Sequence, residues 1–216
     1  CGNTFQFGVP QNPYGFQYAE DGNSYSGIGF GFGGSSQNYK EYMQVKLADT
    51  LIYNKKYLVS FFVSKADSAP IVNTKIGAYL SLTNTLTTLP SGVINAIPQV
   101  LSPPNFYMQD DVNWIEVSDT IIAQGGELYI TIGYFDSGSA ADTLRLFHST
   151  QSQILGLGND AEWIAYYYFD NVRVLCLDCL PNSITTINAG EKPVIYPNPA
   201  VNTFNVKLSK SYKNIE

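Results

Sequence analysis

Three cysteines, one histidine and a handful of carboxylates are the residues through which this chain could do chemistry. Two of the cysteines form a C-x-x-C, Cys176-Leu177-Asp178-Cys179. Such a pair is half of a zinc site, and neither a second pair nor a pair of histidines completes it. As a redox motif it would open a helix in an α/β setting, which is absent here. The expectation is a structural disulfide between Cys176 and Cys179. Cys1 either reaches this pair or has a partner outside the sequence. The histidine, His148, adjoins Ser149, but sequence neighbours do not thereby form a dyad, and no G-x-S-x-G is present. Glu41, Glu116, Glu127, Glu162 and Asp170 could supply two carboxylates for glycoside hydrolysis. Their places on separate strand-like segments suggest no facing pair, so the chain reads as non-enzymatic.

Asp170 lies between Phe169 and Asn171 in YYYFDNVRV, residues 166–174. A carboxylate inside an apolar strand must be paired, ligated or exposed at an edge. One explanation is a structural Ca²⁺, with Asp21 of the polar turn Glu20-Asp21-Gly22-Asn23 adding hard oxygen ligands. A backbone or arginine partner for Asp170 is the commoner arrangement, and the turn also reads as simply solvated. No other cofactor is expected. GIGFGFGG, residues 27–34, contains a G-x-G-x-x-G. It follows no apolar strand and opens no helical pattern, so it is not a dinucleotide fingerprint. Phe30 and Phe32 are instead expected to pack beneath a glycine-rich strand end. Glycan binding needs only exposed aromatic planes with amide and carboxylate neighbours. The candidates are Tyr39, Tyr42, Tyr107, Trp114, Trp163 and Tyr167, each of which also suits a core. The surplus of tyrosine, 16 against two tryptophans, suits a protein–protein surface equally well.

The elements that must position these residues are strands. In residues 114–136, Ile115 and Val117 alternate with Glu116 and Ser118; Leu128, Ile130, Ile132 and Tyr134 then alternate with Glu127, Tyr129, Thr131 and Gly133. Period two means strands with one face on a core. Gly125-Gly126 between them supplies the positive φ angles of a tight connection. The same alternation runs through 42–47 (Met43, Val45, Leu47), 57–63 (Tyr57, Val59, Phe61, Val63) and 76–82 (Ile76, Ala78, Leu80, Leu82). Residues 83–112, with four prolines, form a long surface or functional segment. Few charges (14%) with much Tyr, Thr, Asn and Gly suit an all-β, extracellular antiparallel β-sandwich. A net charge of −6 offers no basic stripe for nucleic acid. No apolar run is long enough for a transmembrane segment, and no signal peptide is present, so the signal was removed or the chain is a fragment.

After a linker over 180–193 the composition changes, and 194–208 reads VIYPNPAVNTFNVKL. This stretch resembles the start of the C-terminal sorting domain of type IX secretion cargo from Bacteroidota, through Tyr196-Pro197-Asn198-Pro199-Ala200 and the alternating strand after it. Residues 194–216 would then be the first strand of a second small β domain. The body, 1–179, resembles the jelly-roll module of secreted and OmpA-associated surface proteins of that phylum, through GFQYAEDGNSYSGIGF, EYMQVKLADTL, YLVSFFVSKADSA, IGAYLS, GGELYITIGYF and AYYYFDNVRV. The resemblance implies a further first strand and a cysteine before Cys1, and a chain trimmed at both ends. It also implies O-glycosylation in Asp-Ser/Thr-apolar tripeptides. Four occur, placing acceptors at Thr50, Ser68, Thr120 and Thr143 near expected strand ends or loops; the alternative is that such pairs are ordinary turn formers.

The functional expectation is a secreted module at the cell or outer-membrane surface, exported by the type IX translocon, adhesive or carbohydrate-binding, with a glycan or a surface protein as ligand. The competing expectations are a structural subunit of a larger surface complex and an accessory domain of a secreted enzyme.

Overall fold

A computed structural model describes residues 8–31, 39–86, 93–135, 143–146 and 163–179, together with the backbone of 194–196 and 205–207. The chain divides into two units, Cys1–Cys179 and Leu180–Glu216. In chain order the strands of the first are β1 (Gln11–Asn12), β2 (Gly15–Phe16), β3 (Ser26–Gly31), β4 (Tyr42–Lys46), β5 (Lys56–Lys65), β6 (Ile71–Asn73), β7 (Ile76–Ser81), β8 (Val100–Leu101), β9 (Ile115–Ile122), β10 (Tyr129–Tyr134), β11 (Thr143–Arg145) and β12 (Ile164–Cys176). The second unit holds β13 (Val194–Tyr196) and β14 (Asn205–Lys207), paired antiparallel with Tyr196 opposite Asn205. The extended entry ahead of Pro197 is thus itself a strand. Among the described residues no helix is long and apolar enough to cross a membrane.

Two four-stranded antiparallel sheets carry the first unit, ordered β4-β10-β7-β8 and β3-β12-β5-β9. Setting aside the short β1, β2, β6 and β11, the first strand pairs with the eighth (β3-β12), the second with the seventh (β4-β10), the third with the sixth (β5-β9) and the fourth with the fifth (β7-β8). This is an antiparallel ribbon rolled up so that its two arms also meet, at β12-β5 and β10-β7. That order is the jelly roll, a sandwich whose connections repeatedly cross from one sheet to the other.

The expected alternation becomes the core. Val59, Phe61 and Val63 of β5 and Ala165, Tyr167 and Phe169 of β12 meet Ile76, Ala78 and Leu80 of β7 and Ile130, Ile132 and Tyr134 of β10 in one buried cluster. Each such large side chain contributes about 1.5–3 kcal/mol. Phe30 is fully buried as expected, whereas Phe32 lies outside the described residues. One expectation needs correcting. Leu82 lies past the end of β7 and is exposed. Gly125-Gly126 has the expected positive φ, 90° and 89°, and the two glycines turn the corner between β9 and β10, which belong to opposite sheets. A Cβ on Gly125 would stand 2.9 Å from the Tyr53 side chain, so the corner needs glycine for space as well as for φ.

Candidate ligand-binding site

Alternation along β12 turns Tyr167 and Phe169 inward, so Tyr166 and Tyr168 project from the outer face of their sheet. Opposite them in β3 stand Gly29 and Gly27, paired with Tyr166 and Tyr168 respectively. A Cβ on Gly27 would lie 2.6 Å from the Tyr166 ring, so the missing side chain is what lets that ring lie across β3. The hairpin β1–β2 folds over this face. Its Tyr14 stacks on Tyr166 with ring centroids 3.7 Å apart and planes 8° from parallel. Tyr25 closes the other side, 4.6 Å from Tyr168 and edge-on to Trp114 at 5.8 Å.

Asn12 holds the aromatics in register. Its Oδ1 accepts from the Tyr14 backbone N–H at 2.9 Å and from the Tyr168 hydroxyl at 2.9 Å, while its Nδ2 donates to the Tyr25 hydroxyl at 3.1 Å. Ser68 ties the hairpin down, its N–H and Oγ both donating to the Tyr14 carbonyl, at 3.0 and 2.7 Å. Glu41 enters from the strand-like run beside β3: Oε2 accepts from Gly29 N–H at 2.7 Å and Oε1 from the Tyr39 hydroxyl at 2.5 Å. Together Asn12, Tyr14, Tyr25, Glu41, Tyr166 and Tyr168 line a cleft of about 510 Å³. A second cleft, of about 580 Å³, adjoins it and shares Tyr25, Ser26 and Met43; there Val45 and Ile130 face Phe169 and Val172.

The phenols of this site are held neutral. Burial raises the pKa of Tyr14, Tyr166 and Tyr168 above the ordinary 10, and the negative Glu41 adds to the rise at Tyr14 and Tyr166. Burial also raises Tyr25, with Asp67 adding charge repulsion. At Tyr39 the hydrogen bond to Glu41 dominates and pushes the phenol to about 12. At neutral pH the cleft therefore offers neutral aromatic faces, phenol hydroxyls, one amide and one carboxylate. That set suits holding a ligand.

The residues singled out from sequence fall in several places. Asp170 sits at a bulge in β12, where Asp170 opposes Phe62 and Arg173 opposes Ser60, with Asn171 at φ 50°. Its Oδ2 accepts from the N–H groups of Glu20 and Asp21, at 2.8 and 3.1 Å, and its Oδ1 from Asn171 N–H at 2.7 Å. Asp21 thus meets Asp170 through a backbone donor, and Glu20 binds the Asn171 amide. Three N–H donors satisfy the carboxylate, so the backbone-partner reading accounts for Asp170 within its strand.

Cys176 and Cys179 form a disulfide with Cα atoms 5.4 Å apart. Asp178 between them accepts from Lys56 N–H at 2.9 Å and fastens the end of β12 to the start of β5. Among the described residues, Cys176, Asp178 and Cys179 are the one group of three such side chains close enough to hold a metal, and the disulfide occupies both sulfurs. Cys1, His148 and Glu162 lie outside the described residues, as do Pro197, Asn198, Pro199 and Ala200 of the sorting motif; Tyr196 ends β13. Glu116 is exposed on β9, and Glu127 is buried at the β9–β10 corner, accepting from Gln124 N–H at 2.7 Å. Thr50 and Thr120 are exposed, Thr120 within β9 rather than at a strand end. Thr143 opens β11 half-buried, and Ser68 commits its hydroxyl to Tyr14.

None of the six aromatic candidates lines the cleft itself; Tyr39 adjoins it through Glu41 and Trp114 through Tyr25. Tyr167 is fully buried, its hydroxyl accepting from Asn73 N–H at 2.9 Å, and so belongs to the packing reading. Tyr42 packs on Phe135, Trp114 on Tyr25, and Trp163 under the Arg145 guanidinium at 4.5 Å. Sequence reasoning missed Asn12, Tyr14, Tyr25, Tyr166 and Tyr168. The available signal was the outward glycines of Gly27-Ile28-Gly29 against consecutive tyrosines at 166–168: bare backbone on one strand, rings on its neighbour. No protein-family model matches the chain, and no curated protein matches it.

Proposed function

We propose that this is a non-catalytic, secreted surface module that binds carbohydrate in the tyrosine-lined cleft. One observation carries the reading: four tyrosines, Tyr14, Tyr25, Tyr166 and Tyr168, share a single cleft with Asn12 and Glu41. Sugar rings present apolar C–H faces to aromatic planes and hydroxyls to amide and carboxylate, which is the pairing this cleft offers. Export through the type IX translocon rests on Tyr196-Pro197-Asn198-Pro199-Ala200, with 194–216 as the start of the sorting domain. Thr50 and Thr120, exposed as they are, are the foremost proposed glycan acceptors.

The competing reading, a self-assembling or docking structural subunit, is favoured by β9. It is eight residues long and pairs only with β5 among the described residues, which leaves an open sheet edge.

Calorimetric titration with neutral β-linked oligosaccharides, the N-acetylglucosamine tetramer among them, separates the two. Heat of binding that falls about tenfold in affinity in Tyr14→Ala supports the cleft. No binding across the panel, together with concentration-dependent association in sedimentation, favours assembly instead.

A further inference from the structure

Among the described residues the carboxylate in the cleft has no counter-ion. Both hydrogen bonds to Glu41 come from neutral donors, the Gly29 N–H and the Tyr39 hydroxyl, so its charge is solvated and directed but not cancelled. Among the described residues no lysine or arginine forms an ion pair with it; the one such pair joins Lys65 to Asp111 at 3.2 Å. Among the described residues no basic side chain lines the cleft. Asp67 adds a second negative charge near the same rings. It accepts from Phe16 N–H at 2.8 Å, and its charge raises both the Tyr25 and Tyr168 phenols.

Each Glu41 oxygen keeps a lone pair after its one hydrogen bond. Tyr14, Tyr25, Tyr166 and Tyr168 line the cleft beside it, and an aromatic ring carries the negative part of its quadrupole on its face. An anionic ligand would meet a like charge with nothing to offset it. A neutral sugar would leave Glu41 with weaker partners than a cation supplies.

We propose that the cleft selects a glycan bearing a protonated amine, with the ammonium seated between Glu41 and the tyrosine rings. This rests on the carbohydrate reading and specifies its ligand class: amino sugars with free amines, ahead of their N-acetylated or uncharged counterparts.

The test is calorimetric titration of the whole chain at pH 6 and low salt with two tetramers, β-1,4-linked glucosamine and its fully N-acetylated form. The aminated tetramer is expected to bind about tenfold tighter, a preference of the size that one charge-assisted contact with an aromatic face supplies. The preference should shrink toward unity in about 1 M salt, where screening acts over ~3 Å. Glu41→Gln should abolish the preference, with near-ultraviolet circular dichroism reporting that the fold is kept; should that variant fail to fold, the salt series on the unaltered chain still decides. Equal or tighter binding of the acetylated tetramer overturns the inference and leaves the carbohydrate reading standing. Binding of neither tetramer overturns both.

Discussion

The two faces of the β3–β12 pair are made from the same strands and are built on opposite principles. Inward, Ile28 and Phe30 of β3 meet Ala165, Tyr167 and Phe169 of β12 in a core from which water is excluded. Outward, the partners are Gly27 and Gly29 against Tyr166 and Tyr168, with space in place of side chains on one strand and rings on the other. The inner face gains its stability from filled volume. The outer face keeps a cleft open because volume is withheld at Gly27. Even the buried phenols differ. Tyr167 accepts from the Asn73 backbone N–H at 2.9 Å and serves only the fold, whereas Tyr168 donates to Asn12 and helps fix the hairpin that carries Tyr14.

Truncation on the inner face should have the largest effect. Phe169→Ala removes a ring that is 2% exposed and packed within 6.2 Å of Phe61, and is expected to cost about 3–5 kcal/mol of unfolding free energy. Tyr14→Ala on the outer face, where the ring is partly buried, is expected to cost about 1 kcal/mol. Urea unfolding of both variants checks the contrast, and equal losses would break the distinction between the two faces.

Adding volume to the outer face is the complementary change and should have a smaller effect on stability. Gly27→Ala places a methyl 2.6 Å from the far end of the Tyr166 ring, so the ring swings away and the sheet stays. The expected cost is about 1–2 kcal/mol, with loss of the Tyr14–Tyr166 stack and at least a tenfold loss of ligand affinity. A near-ultraviolet spectrum and affinity unchanged from the parent would show that Gly27 is not what holds the cleft open.

Much of the inner face was legible in the sequence, and little of the outer one. Period two in 57–63, 76–80 and 128–134 names the core side of β5, β7 and β10 because a buried face demands it, whatever the partner strand. The same rule carries Lys65 inward in register with Val63, where it is 2% exposed and bonded to Asp111 and the Ala66 carbonyl. Pairing is another matter. Ser26 opposite Phe169, or Lys46 opposite Tyr129, depends on contacts across most of the chain, and nothing local to either strand encodes it. The Gly125-Gly126 corner shows the limit: its φ angles were readable, but the sheet each flanking strand joins was not. The cleft is assembled from 12–14, 25–27, 41 and 166–168, so no single stretch announces it. Tyrosines that look alike in sequence are split by parity into core (Tyr167) and cleft (Tyr166, Tyr168).

The smallest expected effect separates the faces by the cause of their phenol shifts. Tyr167 is raised by burial, and the hydrogen bond it accepts from Asn73 opposes the shift. Tyr39, half-exposed, is raised to about 12 chiefly by its hydrogen bond to Glu41. A phenol whose folded pKa exceeds the ordinary 10 holds its proton longer in the folded chain than in the unfolded one. Its contribution to stability is therefore present below about pH 10 and is lost as pH climbs, over about 10 to 12 in the case of Tyr39. Glu41→Gln removes the charged acceptor and leaves the core untouched. Followed by ¹³C resonances of the tyrosine ring carbons, the Tyr39 titration should move down toward 10 in that variant while Tyr167 stays where it is. Tyr14 and Tyr166, which feel Glu41 as a lesser influence after burial, should shift by less than Tyr39. If Tyr39 does not move, the carboxylate is not what governs the outer face, and the cleft's preference for a cationic ligand loses its physical basis as well.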